Sequence, residues 1–464
     1  MARLDESLAA ASVPVGEETI FSWLKRPRQG LAADAAGTAL LNVATVALNF
    51  AITVVLTRTL GAGGYGAYAF GLAWAVVLSA PANLGLTPLV VRSIVEYRTR
   101  SNWALLRGLL RRANQVVLAT SVALAAGAAI VGIFVVPDGQ LRRPLFVALL
   151  LVPVTALISL RQAAMQGFHR VVVGRTPETV IAPLAFLGSL GVIGLGAGSR
   201  LTPAVALALN VTALLIAFGA GAWLLRRTLP RAVRSATPEY ETGSWVRSGL
   251  PLLLLSCVLA VNAQVGVIAV GSLAGTADAG VYSVANRAAN LISFLLIATS
   301  YPLMPLVSRL HAEGDLIRLQ QVATRAVRVL VLCCFPVALV LAVFATPILS
   351  LFGSGFEGGA TALRICSIGE LVNVTTGFAG TILVMTGHEK RLAKGAIGGA
   401  LANVVLSFAL APFWGASGAA IGLVAGMTLS NTYLALHCWR DVRIVAPLFS
   451  LRRLFGFDPR QAAE

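Results

Sequence analysis

Apolar and charged positions alternate along this chain on the scale of whole helices. Several runs contain no Asp, Glu, Lys or Arg and reach the roughly 20 residues that an α-helix needs to cross the hydrocarbon core of a bilayer. Examples are residues 113–137, 201–225, 248–277, 329–356 and 395–439. A chain in lipid must satisfy its own backbone hydrogen bonds, and the short alternating segments of a β-barrel are not seen. The pattern therefore predicts an all-α, polytopic membrane protein.

We predict about twelve transmembrane helices in two six-helix bundles related by pseudo-two-fold symmetry. Their approximate limits are 37–60, 65–91, 113–136, 144–160, 178–198, 201–225, 248–272, 279–308, 327–352, 361–387, 392–411 and 416–438. The run at 395–439 is long enough for two helices. The proline- and glycine-containing sequence Ala411–Gly418 supplies the break between them.

The distribution of charge predicts how the helices are oriented. The chain has 36 basic and 19 acidic residues, and its net charge is +17. Most of the basic residues lie on alternate connections between the predicted helices, which the positive-inside rule places in the cytoplasm. Both termini are therefore predicted to be cytoplasmic. Because the basic residues lie in short loops rather than on one soluble face, they favour contact with anionic lipid headgroups over a nucleic-acid partner.

The predicted helices divide the chain into five parts. These are a cytoplasmic N-terminal segment (1–36), an N-terminal bundle (37–228), a cytoplasmic linker (229–247), a C-terminal bundle (248–439) and a basic amphipathic cytoplasmic tail (440–464). The tail mixes arginines with Ile, Val, Leu and Phe, which is typical of interfacial segments. Residues 1–36 contain no cleavable signal peptide, so we expect the first helix to be retained.

The two halves of the chain resemble each other. The segment Leu60–Tyr68 aligns with Ala274–Tyr282, and the same offset places Pro88 on Pro302. At a similar offset, the hairpin at 165–170 aligns with residues 385–390. The halves therefore have the same orientation and are related by an axis along the membrane normal. Parallel repeats of this kind are a transporter architecture, with the substrate site between the halves.

Arg287 and Glu370 lie inside apolar segments, where charge is costly and points to function. Each follows the predicted outer end of its helix by a similar number of residues. At about 1.5 Å per residue both are predicted to lie roughly 12–14 Å deep. Two interpretations remain open. The residues form an ion pair that fixes packing or acts in gating, or they face a water-filled cavity that binds an anionic substrate.

Polar side chains at helical spacing accompany these charges. The first predicted helix carries Thr38, Asn42, Thr45, Asn49 and Thr53, and the others are Asn262, Gln264, Ser283, Asn286, Asn290 and Ser293. Such residues avoid lipid, so we expect them to line a cavity or to form hydrogen bonds between helices. Arg58 ends the first helix, where its side chain reaches either the outer interface or the mouth of a cavity.

Catalytic and metal-binding patterns are nearly absent from the sequence. None of the four histidines has a Ser or Cys nucleophile in a recognisable context, and no phosphate-binding loop appears. The five cysteines lie in or at the ends of apolar segments without metal-ligand spacing. We therefore expect no enzymatic activity, no cofactor and no metal site.

The chain resembles polysaccharide flippases of the multidrug/oligosaccharidyl-lipid/polysaccharide exporter superfamily over nearly all of residues 37–440. The motifs that carry the resemblance are Arg58–Gly66, Gly85–Arg92, Gly280–Arg287 followed by Pro302–Pro305, and Gln166–Arg170. The resemblance implies two bundles that alternate between inward- and outward-open states in the bacterial inner membrane. It also matches Arg287 to an arginine in the family's eighth helix and Arg58 to one at the end of the first.

The cargo implied by this resemblance is an undecaprenyl-pyrophosphate-linked oligosaccharide, carried from the cytoplasmic to the outer leaflet for the synthesis of surface polysaccharide. Implied partners are the bilayer, a polysaccharide polymerase and a chain-length regulator. Family members often carry acidic residues at the positions of Gly63, Gly64 and Gly266. Their absence here argues against cation coupling through the seventh helix.

Alternative functions predict different features. A cation-coupled multidrug exporter of the same superfamily favours acidic residues in the cavity, and Glu370 is the candidate. A lipid II flippase usually has two further helices. A membrane polymerase or ligase of lipid-linked sugars generally needs a large external loop, whereas the predicted outer connections are short. A membrane scaffold without transport activity predicts that cavity substitutions have no effect.

Overall fold

The computed structural model describes residues 29–136, 139, 141–196, 201–376 and 378–444. Most of the predicted N-terminal segment and most of the predicted tail lie outside the described residues. Within the described residues the regular structure is helical, without strands. The all-α prediction is thus confirmed.

The N-terminal bundle is built from eight α-helices and one π-helix. They are α1 (Gln29–Ala82), α2 (Leu86–Thr99), α3 (Trp103–Val135), α4 (Arg142–Leu149), α5 (Leu151–Gly167), α6 (Val171–Thr176), the π-helix Pro177–Ile181, α7 (Ala182–Gly196) and α8 (Pro203–Thr228). Pro177 opens the π-helix, and the backbone N–H of Ala182 donates to its carbonyl. This i to i−5 bond replaces the i to i−4 bond of a regular α-helix there and widens the turn.

A short helix, α9 (Arg231–Ser235), lies in the linker between the bundles. The C-terminal bundle contains α10 (Thr242–Leu273), α11 (Thr276–Ala312), α12 (Leu316–Val343), α13 (Ala345–Ser350), the 3₁₀-helix Glu357–Gly359, α14 (Ala360–Thr376), α15 (Phe378–Met385) and α16 (Glu389–Val442). The linker is fastened to the N-terminal end of α3. There the N–H of Glu239 donates to the carbonyl of Ala104 at 3.2 Å, and Arg107 donates to the carbonyl of Ala236 at 2.5 Å.

Among the described residues, nine helical segments are long and apolar enough to cross a membrane. Two of these, α1 and α16, each contain two crossings separated by a non-helical glycine. Helix α11 adds another by its length of 37 residues. The described residues thus contain twelve crossings, in agreement with the prediction of about twelve. Large apolar side chains such as Phe134 and Leu332 are exposed on the outside of the bundles, as expected for surfaces that face lipid.

Glycines with positive φ separate the paired crossings. Gly61 in α1 has φ 67° and ψ 179°, and Gly415 in α16 has φ 50° and ψ −127°. These backbone conformations exclude most other residues, so each glycine ends one crossing and starts the next. Gly415 falls inside the predicted break at 411–418, which is thereby confirmed.

The second crossing ends earlier than predicted. Its helix stops at Ala82, whereas the apolar pattern runs on to residue 91. Leu84 and Gly85 both have positive φ, and the chain turns there before α2 begins. Pro81 precedes this turn, and its carbonyl accepts the N–H of Leu84 at 3.0 Å. Hydropathy alone does not detect such a turn, because Leu84 and Gly85 are themselves apolar.

The two bundles meet along α1, α10 and α11. At the predicted outer side, α1 and α11 cross at Gly66 and Gly280, the positions that the repeat alignment makes equivalent. A side chain on Gly66 would overlap the carbonyl of Thr276, and one on Gly280 would overlap that of Ala62. The crossing is therefore as close as glycine allows, which is the packing that small residues permit between membrane helices.

Candidate substrate cavity

A cavity of about 150 Å³ lies between the bundles, beneath the crossing of α1 and α11. It is lined from both halves of the chain. Its lining residues are Asn49, Ile52, Thr53, Leu56, Tyr65, Tyr68, Leu72, Glu178, Ala182, Pro183, Phe186, Asn210, Leu214 and Arg287. An apolar cavity with a few convergent polar groups at a domain interface is the usual form of a ligand site.

Arg287 is the part of this cavity that the C-terminal bundle supplies. It projects from α11 across the interface, and its Nη1 donates to Thr53 Oγ1 of α1 at 3.3 Å. Within the described residues it forms no salt bridge with an Asp or Glu. A guanidinium held inside the membrane without a carboxylate is an uncompensated positive charge, and it favours an anion in the cavity.

The predicted outer end of the cavity is closed by contacts between the bundles. Arg58 Nε donates to the carbonyl of Leu351 at 2.9 Å. The rings of Phe50 and Phe352 pack edge to face with centroids 5.5 Å apart, and the centroids of Tyr65 and Phe356 are 6.3 Å apart. Arg58 thus belongs to this closure and does not line the cavity in this conformation.

The bundles also meet at the predicted inner side, where α2 packs against α10. Trp245 Nε1 donates to the hydroxyl of Tyr97 at 3.0 Å, and both side chains are buried. A side chain on Gly85 would overlap the carbonyl of Gly249. The cavity therefore lies between one set of contacts at the predicted outer side and another at the predicted inner side.

Glu178 is a cavity residue that the sequence patterns did not single out. It lies in the π-helix and pairs with Arg161 of α5, and Gln162 Nε2 donates to its Oε2 at 3.0 Å. The Arg161 and Glu178 side chains are only 4% and 11% exposed. Arg161 directly follows the predicted helix 144–160, where a basic residue is expected to face the cytoplasm, but its side chain is instead buried inside the bundle.

A signal for this pair is present in the sequence. Arg161 and Glu178 lie at nearly equal distances on either side of the hairpin turn at 168–170. In an antiparallel helical hairpin, residues equally far from the turn lie at the same depth. Opposite charges at such positions can meet inside the bundle, where burial of one alone is costly.

Glu370 does not form an ion pair with Arg287. Its carboxylate accepts hydrogen bonds from Ser293 Oγ of α11 and, at 3.2 Å, from Asn373 Nδ2 on its own helix α14. Asn431 of α16 donates in turn to Asn373 Oδ1 at 2.8 Å. This buried network joins three helices of the C-terminal bundle. The structure therefore places Glu370 among neutral hydrogen-bonding groups and Arg287 in the cavity.

Asn262 takes part in a second network inside the C-terminal bundle. Asn403 Nδ2 of α16 donates to Asn262 Oδ1 of α10 at 2.9 Å and to its backbone carbonyl at 3.1 Å. Ser407 Oγ donates to Asn403 Oδ1 at 3.0 Å. Asn262 thus joins helices instead of lining the cavity between the bundles.

The remaining predicted site residues differ in whether they line the cavity. Asn49 does, and its Nδ2 donates to the carbonyl of Thr45 at 2.8 Å. Asn42, Gln264 and Asn286 are partly buried, and Asn290 is exposed one turn beyond Arg287. These four residues are not among those that line the cavity.

The space beside Gly266, the position at which the family resemblance implies an acidic residue, is occupied by a neighbouring aromatic ring. A side chain at this position would overlap Tyr282 of α11, which is buried against it. Tyr282 and Tyr68 are equivalent in the two repeats. The described residues contain no group of three or more His, Cys, Asp or Glu side chains that could hold a metal ion.

Residues 31–311 match the family described as polysaccharide biosynthesis protein, which is more than half of the chain. The chain belongs to this family. Residues 251–409 also match the family described as MatE. Comparison with curated protein sequences finds no match.

Solved structures share the fold of the chain. An inward-facing multidrug resistance MATE transporter of the MOP superfamily aligns with TM-score 0.72 and 14% identity, covering 88% of this chain and 98% of its own. Lipid II flippase MurJ in an inward closed conformation aligns with TM-score 0.68 and 12% identity, covering 88% of this chain and 87% of its own. An outward-facing MATE structure aligns with TM-score 0.53 and 13% identity, covering 88% of this chain and 95% of its own. The chain therefore has the fold of these membrane proteins, and its long apolar helices make it a multi-pass membrane protein.

Proposed function

We propose that this protein carries an undecaprenyl-pyrophosphate-linked oligosaccharide from the cytoplasmic to the outer leaflet by alternating access. The observation that carries the proposal is the position of Arg287, which extends from one bundle to Thr53 of the other in the cavity between them. A pyrophosphate cannot enter hydrocarbon without compensation for its charge. Arg287 supplies that compensation, because a guanidinium binds phosphate oxygens through charge-assisted hydrogen bonds.

Alternating access follows from the two sets of contacts between the bundles. The closure by Arg58, Leu351 and the aromatic pairs must open for release on the outer side. The contact between Tyr97 and Trp245 must open for entry on the inner side. Because Arg287 bridges the bundles between these closures, a bound anion at this point interacts with both halves. Binding there can therefore shift the balance between the two states, provided that the anion binds one of them more tightly.

A cation-coupled multidrug exporter is the second candidate. It is favoured by the match of residues 251–409 to the MatE family and by the buried carboxylates of Glu178 and Glu370. The charge of the cavity opposes it. Glu178 is neutralised by Arg161, so Arg287 leaves the cavity positive and unfavourable for an organic cation.

The first prediction concerns the charge of Arg287. Replacing it with alanine should abolish export of the lipid-linked glycan, because the pyrophosphate loses its counter-charge in the cavity, whereas Arg287→Lys should retain part of the activity. Export is measured as glycan delivered to the outer face of cells that contain the variant at normal abundance in the membrane. Arg100→Ala is the matched control, since the Arg100 side chain is 72% exposed and lies outside the cavity.

Full glycan export by Arg287→Ala would refute the anion-binding role. Proteoliposomes that contain the wild-type protein separate the two candidates. The flippase should move a fluorescent polyprenyl diphosphate between leaflets and leave a lipophilic cationic dye behind. Accumulation of the dye, driven by a proton or sodium gradient, would instead establish the multidrug exporter.

A further inference from the structure

Glu178 and its partners line a part of the cavity that is not needed to bind a pyrophosphate. A carboxylate accepts hydrogen bonds and has none to donate to phosphate oxygens, so this wall is unsuited to the anionic portion of a lipid-linked sugar. We propose that the N-terminal wall is a subsite for the sugar hydroxyls of the cargo, with Glu178 as the principal acceptor. This inference rests on the proposed function, since it names what the opposite wall of the same cavity binds.

The hydrogen-bonding capacity of Glu178 supports this assignment. An ionised carboxylate offers about four lone-pair positions on its two oxygens. Arg161 and Gln162 take up part of this capacity from the side of the bundle, and the 11% of the side chain that is exposed faces the cavity. A sugar hydroxyl is a donor that such a carboxylate can accept without a change in the charge of the site.

The local backbone aims Glu178 at the cavity. The π-helix at Pro177–Ile181 widens one turn between α6 and α7, and Glu178 is its second residue. π-Helical turns are uncommon and occur frequently at functional sites. This feature belongs to the backbone and is a separate observation from the ion pair, which involves the Glu178 side chain.

The rest of the wall has the mixed character that a sugar requires. A sugar ring presents apolar C–H faces and a rim of hydroxyls. Tyr65, Tyr68 and Phe186 supply aromatic surface, and Asn210 Nδ2 donates to the Tyr68 hydroxyl at 2.9 Å. Cavities that orient a ligand combine such apolar surface with a few placed polar groups.

Arg161 is a positioning residue in this arrangement. Its guanidinium lies where the side chain of residue 221 would be, and only glycine there leaves the space. Arg161 pairs with the Glu178 carboxylate from the side of the bundle and so holds it in position as an acceptor of hydrogen bonds. In this arrangement Arg287, which has no carboxylate partner among the described residues, faces the pyrophosphate end of the ligand. Glu178, with Arg161 behind it, faces the sugar end.

Two probes of equal charge, one with a sugar and one without, test the inference. They are farnesyl diphosphate capped as the methyl ester of its terminal phosphate and farnesyl diphosphoryl-N-acetylglucosamine, and their dissociation constants are measured calorimetrically on purified full-length protein. The wild type should bind the second probe more tightly. Glu178→Gln should reduce this sugar increment by about tenfold or more, the usual effect of losing a hydrogen bond to a charged group. Arg287→Ala should weaken both probes by the same factor.

Further variants separate recognition from stability. The double change Arg161→Gln and Glu178→Gln leaves no buried charge at the site, so it should preserve folding while it replaces the anionic acceptor with a weaker, neutral one, and it should lose the same increment. Glu96→Gln, on the exposed face of α2 beside Arg100, should change neither constant. Thermal unfolding of each variant is recorded in parallel.

The outcomes are distinct. Equal affinity of the wild type for the two probes, or an unchanged sugar increment in both Glu178 variants, overturns the sugar subsite. Either result leaves the proposed function intact if Arg287→Ala still weakens both probes. Unchanged binding of the capped farnesyl diphosphate by Arg287→Ala overturns the proposed function and, with it, the division of the cavity into two walls.

Discussion

Each bundle buries a glutamate between its helices, and the two glutamates have different partners. In the N-terminal bundle, Glu178 is paired with the buried Arg161 and borders the cavity. In the C-terminal bundle, Glu370 accepts hydrogen bonds from Ser293 and Asn373, which are neutral. The cation of the C-terminal bundle, Arg287, instead extends across the interface to the other half.

This difference teaches that an internal repeat conserves backbone geometry more faithfully than interior chemistry. The crossing at Gly66 and Gly280 and the equivalent tyrosines, Tyr68 and Tyr282, occur in both halves. The charged groups do not follow the repeat. A cavity between two similar bundles thereby acquires two different walls, which would suit the proposed cargo with its anionic portion and its hydroxylated portion.

The largest loss of stability is expected from removing Arg161, the cation that distinguishes the buried glutamate of the N-terminal bundle from that of the C-terminal bundle. Arg161→Ala leaves Glu178 as an uncompensated buried charge, which should cost about 3–5 kcal/mol in the free energy of unfolding. The double variant Arg161→Met and Glu178→Leu replaces the pair with apolar groups of similar size and should recover most of this loss. Denaturant-induced unfolding in detergent micelles measures both. A double variant that is as unstable as the single one would show that packing, not charge, dominates at this site.

A smaller effect is expected from Gly221→Ala. The new methyl group takes the place of the Arg161 guanidinium and should cost about 1–3 kcal/mol, as overpacking usually does. Gly219→Ala lies on the same helix with nothing within 4 Å of its added carbon and is the matched control. Thermal unfolding of the two variants should therefore separate clearly. Equal stability would mean that Arg161 readily finds another position.

The smallest effect should come from Glu370→Gln. Its amide oxygen can still accept hydrogen bonds from the neutral Ser293 and Asn373, so the unfolding free energy should change by no more than about 1 kcal/mol. Glu178→Gln, which deprives Arg161 of its anionic partner, should cost more. If the two substitutions lowered the free energy of unfolding equally, the different partners of the two glutamates would make no difference to stability.

Most of the fold follows from the sequence for physical reasons. Lipid permits few backbone arrangements, so long uncharged runs predict helices directly. The break at Gly415 was marked by Pro412 and neighbouring small residues. The turn at Leu84 was not, because it arises within an apolar run and depends on how α2 packs against α10.

The cavity could be predicted only in part. Arg287 was found because a charge deep in an apolar segment is conspicuous, and Asn49 and Thr53 because they lie on one helical face. Glu178 was missed because it lies near the predicted end of a helix, where acidic residues are unremarkable. The pairing of Glu370 with Ser293 and Asn373 depends on the rotation of three helices about their axes, which hydropathy does not determine.

The crossing of α1 and α11 has the form of an isologous interface, in which equivalent surfaces of two copies meet across a two-fold axis. In a homodimer with such a contact, one substitution in the gene would alter both sides of the axis at once. Fusion of the copies into one chain removes this constraint, since each side can change alone. Glycine nevertheless remains at both Gly66 and Gly280, because each must clear the backbone of the other half. The axis is thus where the symmetry of the two halves is still enforced, and the cavity beneath it is where they have been free to diverge.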